Sequence, residues 1–188
     1  QRQVLEQFDC VGAYKVGGSN IASSCHFGEE RVLVGGLPSE RIYLGDNSFF
    51  EGLGEVEVCV RIEPARCPTG FVAKESVWGL ELPYLGGPED KGIAATAVST
   101  NLGSGSLQLS DSNAEYSDEV NVYLDGKLAA VACTGQLVMP IEKILAEAVE
   151  VIRKHQLPFP SSGIWIATGG LTSLIAVKKG QTLEYSSH

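Results

Sequence analysis

Glu55 and Glu57, in the stretch GEVEVCVRI from Gly54 to Ile62, are the residues whose spacing most demands a chemical explanation. Side chains two apart on an extended strand share a face, so the two carboxylates stand roughly 7 Å apart along it. Val56, Val58, Val60 and Ile62 take the other face. Two like charges side by side repel unless water or a cation lies against them. A hard ion such as Mg²⁺ or Mn²⁺ prefers carboxylate oxygens, and two or three carboxylates plus waters leave positions for an oxygen-rich ligand. Taken alone, such a pair is more often a solvated strand face, the ordinary place for Glu.

Glu81 offers a third carboxylate. In VWGLELPYL an unpaired charge would be expensive to bury, which leaves either ion coordination or an edge-strand position facing water. Lys15, between Tyr14 and Val16, reads by itself as a lysine on a short apolar strand whose ammonium snorkels to water. The loop STNLGSGS holds Asn101, Ser104 and Gly105; its backbone N–H groups and hydroxyls can meet a carboxylate, and a plain surface turn has the same composition. It lacks the GK[ST] ending of a phosphate-binding loop. Cys25 and His26 are adjacent, and neighbours on an extended segment point apart, so a packed thiol is expected rather than a Cys/His couple. Glu51, Glu63 and Glu75 sit in surroundings that read as turns or loops.

These residues need strands to hold them. RVLVGGLPSERIYL alternates apolar segments with turn signals, and GEVEVCVRI is the clearest period-2 run. EPARCPTG interrupts it, since proline cannot donate to a central ladder. NVYLDGKLAAVAC predicts two strands joined by Asp125-Gly126, a pair suited to a type I′ hairpin turn. After Pro140 the period changes: Ile141, Ile144, Leu145, Ala148 and Ile152 form one stripe of an amphipathic helix over about 140–155. Arg153, Lys154 and His155 suit its C-terminal end, and Pro158 follows. The buried strand GIWIATGG comes next. The expected fold class is α+β, mostly β, with one main helix packed on a sheet, and residues 1–188 forming a single domain.

The chain has 188 residues, a formal charge of −9, 44% hydrophobic and 20% charged residues, which describes a globular domain with its own core. The acidic balance argues against a nucleic-acid surface, which needs clustered Lys and Arg. Five cysteines, Cys10, Cys25, Cys59, Cys67 and Cys133, show no paired spacing, so reduced thiols in a cytoplasmic protein are expected. No apolar run is long enough to cross a bilayer, and QRQVLEQFDC has no signal-peptide pattern, so no membrane partner is expected. The chain starts without Met, so part of the natural N-terminus is expected to be missing.

The order of hairpin, helix and IATGGLTSLIAVKKGQTLE resembles the end of the 2-keto-4-pentenoate hydratase family, within the fumarylacetoacetate hydrolase superfamily. The family's TGSLT-like turn and following glycine turn correspond to Thr168 to Thr172 and Lys179-Gly180-Gln181. GAYKVGGSNIAS is similar to its lysine segment, GEVEVCVRI to its ExE strand, WGLELPYLG to the segment with its third metal-binding Glu, and STNLGSGSLQLS to its Asn and Ser-Gly loop. The resemblance spans nearly the whole chain. It implies a mixed β-sheet roll of the superfamily's C-terminal-domain type, in a homo-oligomer. It further implies Mg²⁺ or Mn²⁺ on Glu55, Glu57 and Glu81, Lys15 as the catalytic residue, and Asn101, Ser104, Gly105 and Thr172 against the substrate. The implied activity is hydration of a 2-oxo or 2-hydroxy-dienoic acid through a metal-stabilised enolate, as in aromatic-compound catabolism. Oxalocrotonate-type decarboxylation and acylpyruvate hydrolysis use a similar site. The chain departs from the family at Thr100, usually Asp, and Gly170, usually Ser, and is shorter before Lys15 and between Glu57 and Glu81. A non-catalytic binding or assembly protein with the same fold is the alternative those departures favour.

Overall fold

The period-2 run around Glu55 is the middle of β4 (Gly52–Pro64), which turns back through residues 65–70 into β5 (Phe71–Leu82). The computed structural model describes residues 10–20, 32–48, 51–83, 105–111 and 117–187. Ahead of this hairpin lie β1 (Val11–Gly17), β2 (Leu33–Pro38) and β3 (Ile42–Leu44). After it come β6 (Ser106–Leu109), β7 (Glu119–Leu124), β8 (Lys127–Cys133), α1 (Ile141–Lys154), β9 (Ile164–Ala167), β10 (Ile175–Val177) and β11 (Leu183–Ser186).

Among the described residues the strands form two sheets. The larger runs β2-β1-β9-β4-β5-β6-β3, with β10 paired to β4, and the smaller runs β11-β7-β8. The β1–β9 and β3–β6 pairs are parallel, and the neighbouring pairs β1–β2, β4–β9 and β4–β5 are antiparallel, which makes the large sheet mixed. Among the described residues the fold is mostly β with one long helix, as the sequence pattern predicts.

The pleat of β4 sorts its residues onto two sides of the sheet. Val56, Val58, Val60 and Ile62 join Trp78 and Leu80 of β5, Tyr14 and Val16 of β1, and Ile164 and Ile166 of β9 in the main core. Into that core α1 inserts Ile144, Leu145, Ala148, Val149 and Ile152, and the small sheet adds Val120, Val122, Ala132 and Leu183. The predicted stripe is borne out with one shift: Ile141 is only partly buried, and Val149 is buried beside it. Val149 stands four residues beyond Leu145, so it widens the stripe on the side that faces the sheet. Pro140 caps the helix from just outside, its carbonyl accepting the Ile144 N–H at 3.1 Å.

On the opposite side of the large sheet, a smaller apolar cluster of Ala13, Leu37, Cys59, Val77, Leu107, Leu109 and Ala167 underlies the charged residues described below. The β7–β8 hairpin turns as expected, with Asp125 and Gly126 both at positive φ, 50° and 72°, as a type I′ turn requires. The Asp125 carboxylate accepts the Thr182 N–H and the Gln181 side-chain amide, each at 2.9 Å. Among the described residues, Cys10, Cys59, Cys67 and Cys133 are free thiols, and no helix is long and apolar enough to cross a membrane. Cys25 and His26 lie outside the described residues.

Candidate metal centre

The β4–β5 register sets Glu55 directly across from Glu81, and Glu57 across from Gly79. Directly opposed residues share a face, so all three carboxylates converge, with one oxygen of each within 4.8 Å of the others. Glu57 and Glu81 have 0% exposure, and Glu55 is partly buried. Neither bland alternative from the sequence applies here. The ExE face is not solvated, and Glu81 is not on an edge strand, because β5 lies between β4 and β6. Glu63 and Glu75 prove to be on strands β4 and β5 rather than in loops, at the far end of the hairpin, where Glu63 pairs with Lys74.

Lys15 reaches the carboxylates because β9 sets β1 beside β4 in register. Ala167, the last residue of β9, pairs with Lys15 on one side and Cys59 on the other. The chain then leaves the sheet at Thr168, whose N–H and hydroxyl both donate to the Val58 carbonyl at 2.9 Å. Beyond that point the turn 168–171 occupies the place between β4 and the end of β1: Leu171 N–H donates to the Val56 carbonyl, and the Ser19 hydroxyl and Asn20 side-chain amide donate to the carbonyls of Thr168 and Gly170. Lys15, Ala167 and Cys59 stand side by side across three strands, so the Lys15 side chain leaves the sheet on the face that carries Glu57 and Glu55. Its Nζ donates to Glu81 Oε2 at 2.5 Å and lies 3.7 Å from Glu55 Oε1. Lys15 is 8% exposed, so it points inward instead of snorkelling. Its acidic partners among the described residues are thus Glu81 and Glu55.

The turn 168–172 braces the same segment. Gly169 N–H donates to Glu57 Oε2 at 3.0 Å, Leu171 N–H to the Val56 carbonyl at 2.8 Å, and the Thr172 hydroxyl accepts the Val56 N–H at 3.1 Å. Thr172 therefore holds the backbone between the two β4 carboxylates. The Gly105 backbone faces the Glu81 carboxylate and favours its charged form. Asn101 and Ser104 lie outside the described residues. Sequence patterning did not point to Gly169; its one signal is a double glycine immediately after a buried strand.

Burial and charge oppose each other throughout this cluster. Burial disfavours the Lys15 ammonium, but Glu81, then Glu57 and Glu55, more than offset it, so its pKa lies above the ordinary value and the lysine keeps its charge. Burial, reinforced by Glu81 and Glu55, pushes Glu57 well above the usual carboxylate range against the pull of Lys15 and the Gly169 N–H. Glu81 is raised by burial too, and partly drawn back by Lys15. The neighbouring Cys59 thiol is pushed up by burial and then by Glu57 and Glu81, so it stays protonated.

One ammonium against three carboxylates leaves two negative charges uncompensated when all are ionised. Glu57 Oε1 and Glu81 Oε1 are buried with no hydrogen-bond partner among the described residues. Buried carboxylate oxygens without partners are strongly disfavoured. An all-oxygen donor set of this charge fits a hard divalent cation.

No family model matches the chain, and no curated protein does. Its structure, however, resembles several solved ones. The 4-oxalocrotonate decarboxylase from Pseudomonas putida G7 superposes with a TM-score of 0.71 at 16% identity, over 97% of this chain and 80% of that one. That enzyme was solved with calcium and acetate, and also with magnesium and adipate. Fumarylpyruvate hydrolase from Pseudomonas aeruginosa, in complex with Mn²⁺ and pyruvate, gives 0.58 at 16% identity over 95% and 85%. A fumarylacetoacetate hydrolase family protein from Yersinia pestis CO92 gives 0.53 at 14% identity over 95% and 89%. The chain shares the fold of these solved proteins. In this chain that fold brings one lysine and three glutamates from β1, β4 and β5 to a single point.

Proposed function

We propose that this chain is a divalent-metal-dependent hydro-lyase acting on a 2-oxo or 2-hydroxy-dienoic acid, with Glu55, Glu57 and Glu81 holding Mg²⁺ or Mn²⁺ and Lys15 as its catalytic residue. The observation that carries this reading is the buried carboxylate triad facing one ammonium, with two of its oxygens otherwise unpartnered. When bound, the ion supplies Lewis-acid polarisation of the acid's carboxylate and adjacent oxygen. The chain's own groups do the rest. The Lys15 ammonium stabilises negative charge developing on the substrate, and the low dielectric of its surroundings strengthens that effect. Its Nζ proton is the one available for transfer to substrate carbon, and Glu81, hydrogen-bonded to it at 2.5 Å, holds Nζ in place. The Thr172 hydroxyl accepts from Val56 N–H and still has its own proton to donate to a substrate oxygen. Asn101, Ser104 and Gly105 are assigned to the substrate's carboxylate end.

Similarity to the oxalocrotonate decarboxylase, higher than that to the fumarylpyruvate hydrolase, supports decarboxylation as a second reading. Both reactions are tested by incubating the protein with Mn²⁺ and, separately, a 2-hydroxy-2,4-dienoic acid and a 2-oxo-hexenedioic acid. Product mass distinguishes the gain of one water from the loss of carbon dioxide. Hydration of the monoacid, abolished by EDTA, is expected. Turnover of the diacid alone would replace hydration with decarboxylation. No turnover of either, with Mn²⁺ bound, would leave a binding protein.

A further inference from the structure

Two consecutive glycines end the β9 strand's turn, and they are glycines for different reasons. Gly169 has φ 113°, and a Cβ there would meet the Ser19 hydroxyl and the Val16 carbonyl. Backbone and packing both require it. Gly170 does not adopt positive φ, so its conformation is open to any residue. The three nearest atoms that a Cβ at position 170 would meet all belong to one side chain: Oε2, Cδ and, at 3.0 Å, Cγ of Glu55.

Glu55 is also the least restrained of the three carboxylates. Glu57 receives the Gly169 N–H and Glu81 receives Nζ of Lys15, whereas the closest described polar contact of Glu55 is the 3.7 Å ion pair with Lys15, and its side chain is 23% exposed. A carboxylate with no hydrogen bond from the described residues to fix it takes its position from the walls they form around it. We infer that Gly170 is a positioning residue for Glu55: its missing side chain is the space in which the Glu55 carboxylate sits. A methyl group there displaces the flexible end of Glu55 and leaves the backbone as it is. For ion binding, the inference rests on the proposed role of Glu55 as a ligand. The steric coupling stands without it.

The test is a cycle of wild type, Gly170→Ala, Glu55→Ala and the double variant, read by apo melting temperature and by calorimetric Mn²⁺ affinity. Gly170→Ala should weaken Mn²⁺ binding by about 10–100-fold, as loss of a ligand's supporting contacts does. In the Glu55→Ala background the same substitution should cost no further affinity. Its effect on apo melting temperature should differ between the two backgrounds, because residues in contact are non-additive. Wild-type affinity in Gly170→Ala, or an equal loss in both backgrounds, would overturn the inference. If wild type binds no Mn²⁺, the ion assignment fails, and the apo temperatures alone judge Gly170: coupling supports it and additivity overturns it.

Discussion

The β4–β5 hairpin carries glutamates at both ends, each end meeting a lysine, and the two ends behave differently. Near the loop, Glu63 and Lys74 pair at 3.4 Å with their side chains 34% and 48% exposed. At the open end, Glu55, Glu57 and Glu81 meet Lys15 of β1 on the face of the large sheet opposite the main core. The residue types are the same, but at the open end Lys15, Glu57 and Glu81 are buried, with the turn 168–172 braced against them. An exposed ion pair contributes about 0–1 kcal/mol, because water already solvates both charges. Buried ions each lose several kcal/mol of hydration, so the cluster at the open end needs Lys15 and a further cation to offset it. What makes a site is the position of the charges relative to the layers of the fold, not their identity.

The largest effect expected from this contrast is at Lys15. Lys15→Met keeps most of the apolar stem and removes the ammonium, so turnover on an identified 2-oxo acid should fall by about 10²–10⁴. The apo protein should lose about 3–5 kcal/mol in denaturant titration, the usual result of breaking a buried pair, and saturating Mn²⁺ should recover part of it by mass action. Full activity would make Lys15 structural only. Thr172→Val should come next: it leaves the Val56 N–H without its acceptor, a loss of about 1–3 kcal/mol for a buried donor. An unchanged unfolding midpoint would show that water replaces the hydroxyl there. Lys74→Met should be the smallest, within about 1 kcal/mol of wild type. A loss as large as that of Lys15→Met would erase the distinction between the two ends.

Local features were legible in the sequence, while features set by distant strands were not. Asp125-Gly126 fixes its turn through the φ values of two residues, and the apolar stripe fixes the buried face of α1, so both could be read from short windows. The paired carboxylates of β4 were legible for the same reason, since a period of two needs no partner strand. Burial of that face was not, because it depends on what lies against it. Glu81 looked equally suited to an edge until β6, which begins after residue 105, was placed beside β5. The partners of Lys15 were beyond local reading altogether. β1 and β4 come into register only because β9, about 150 residues further on, inserts between them. Gly170 stood out only as a departure from the resembling family, and no local feature explained it, since its constraint is a side chain more than a hundred positions away.

The central claim is that the carboxylates at the open end hold a divalent ion, and Glu57→Gln tests it most directly. Glu57 is fully buried, and the amide preserves its size while leaving Val56 and Val58 in the main core. Melting temperature is measured for wild type and variant, without metal and with saturating Mg²⁺ or Mn²⁺. Without metal, removing one of three crowded carboxylates should raise the melting temperature. With metal, wild type should gain stability by mass action and the variant should lose most of that gain. Identical responses of the two proteins to the ion would contradict the account, leaving Glu55, Glu57 and Glu81 as a buried acidic cluster with no metal to hold.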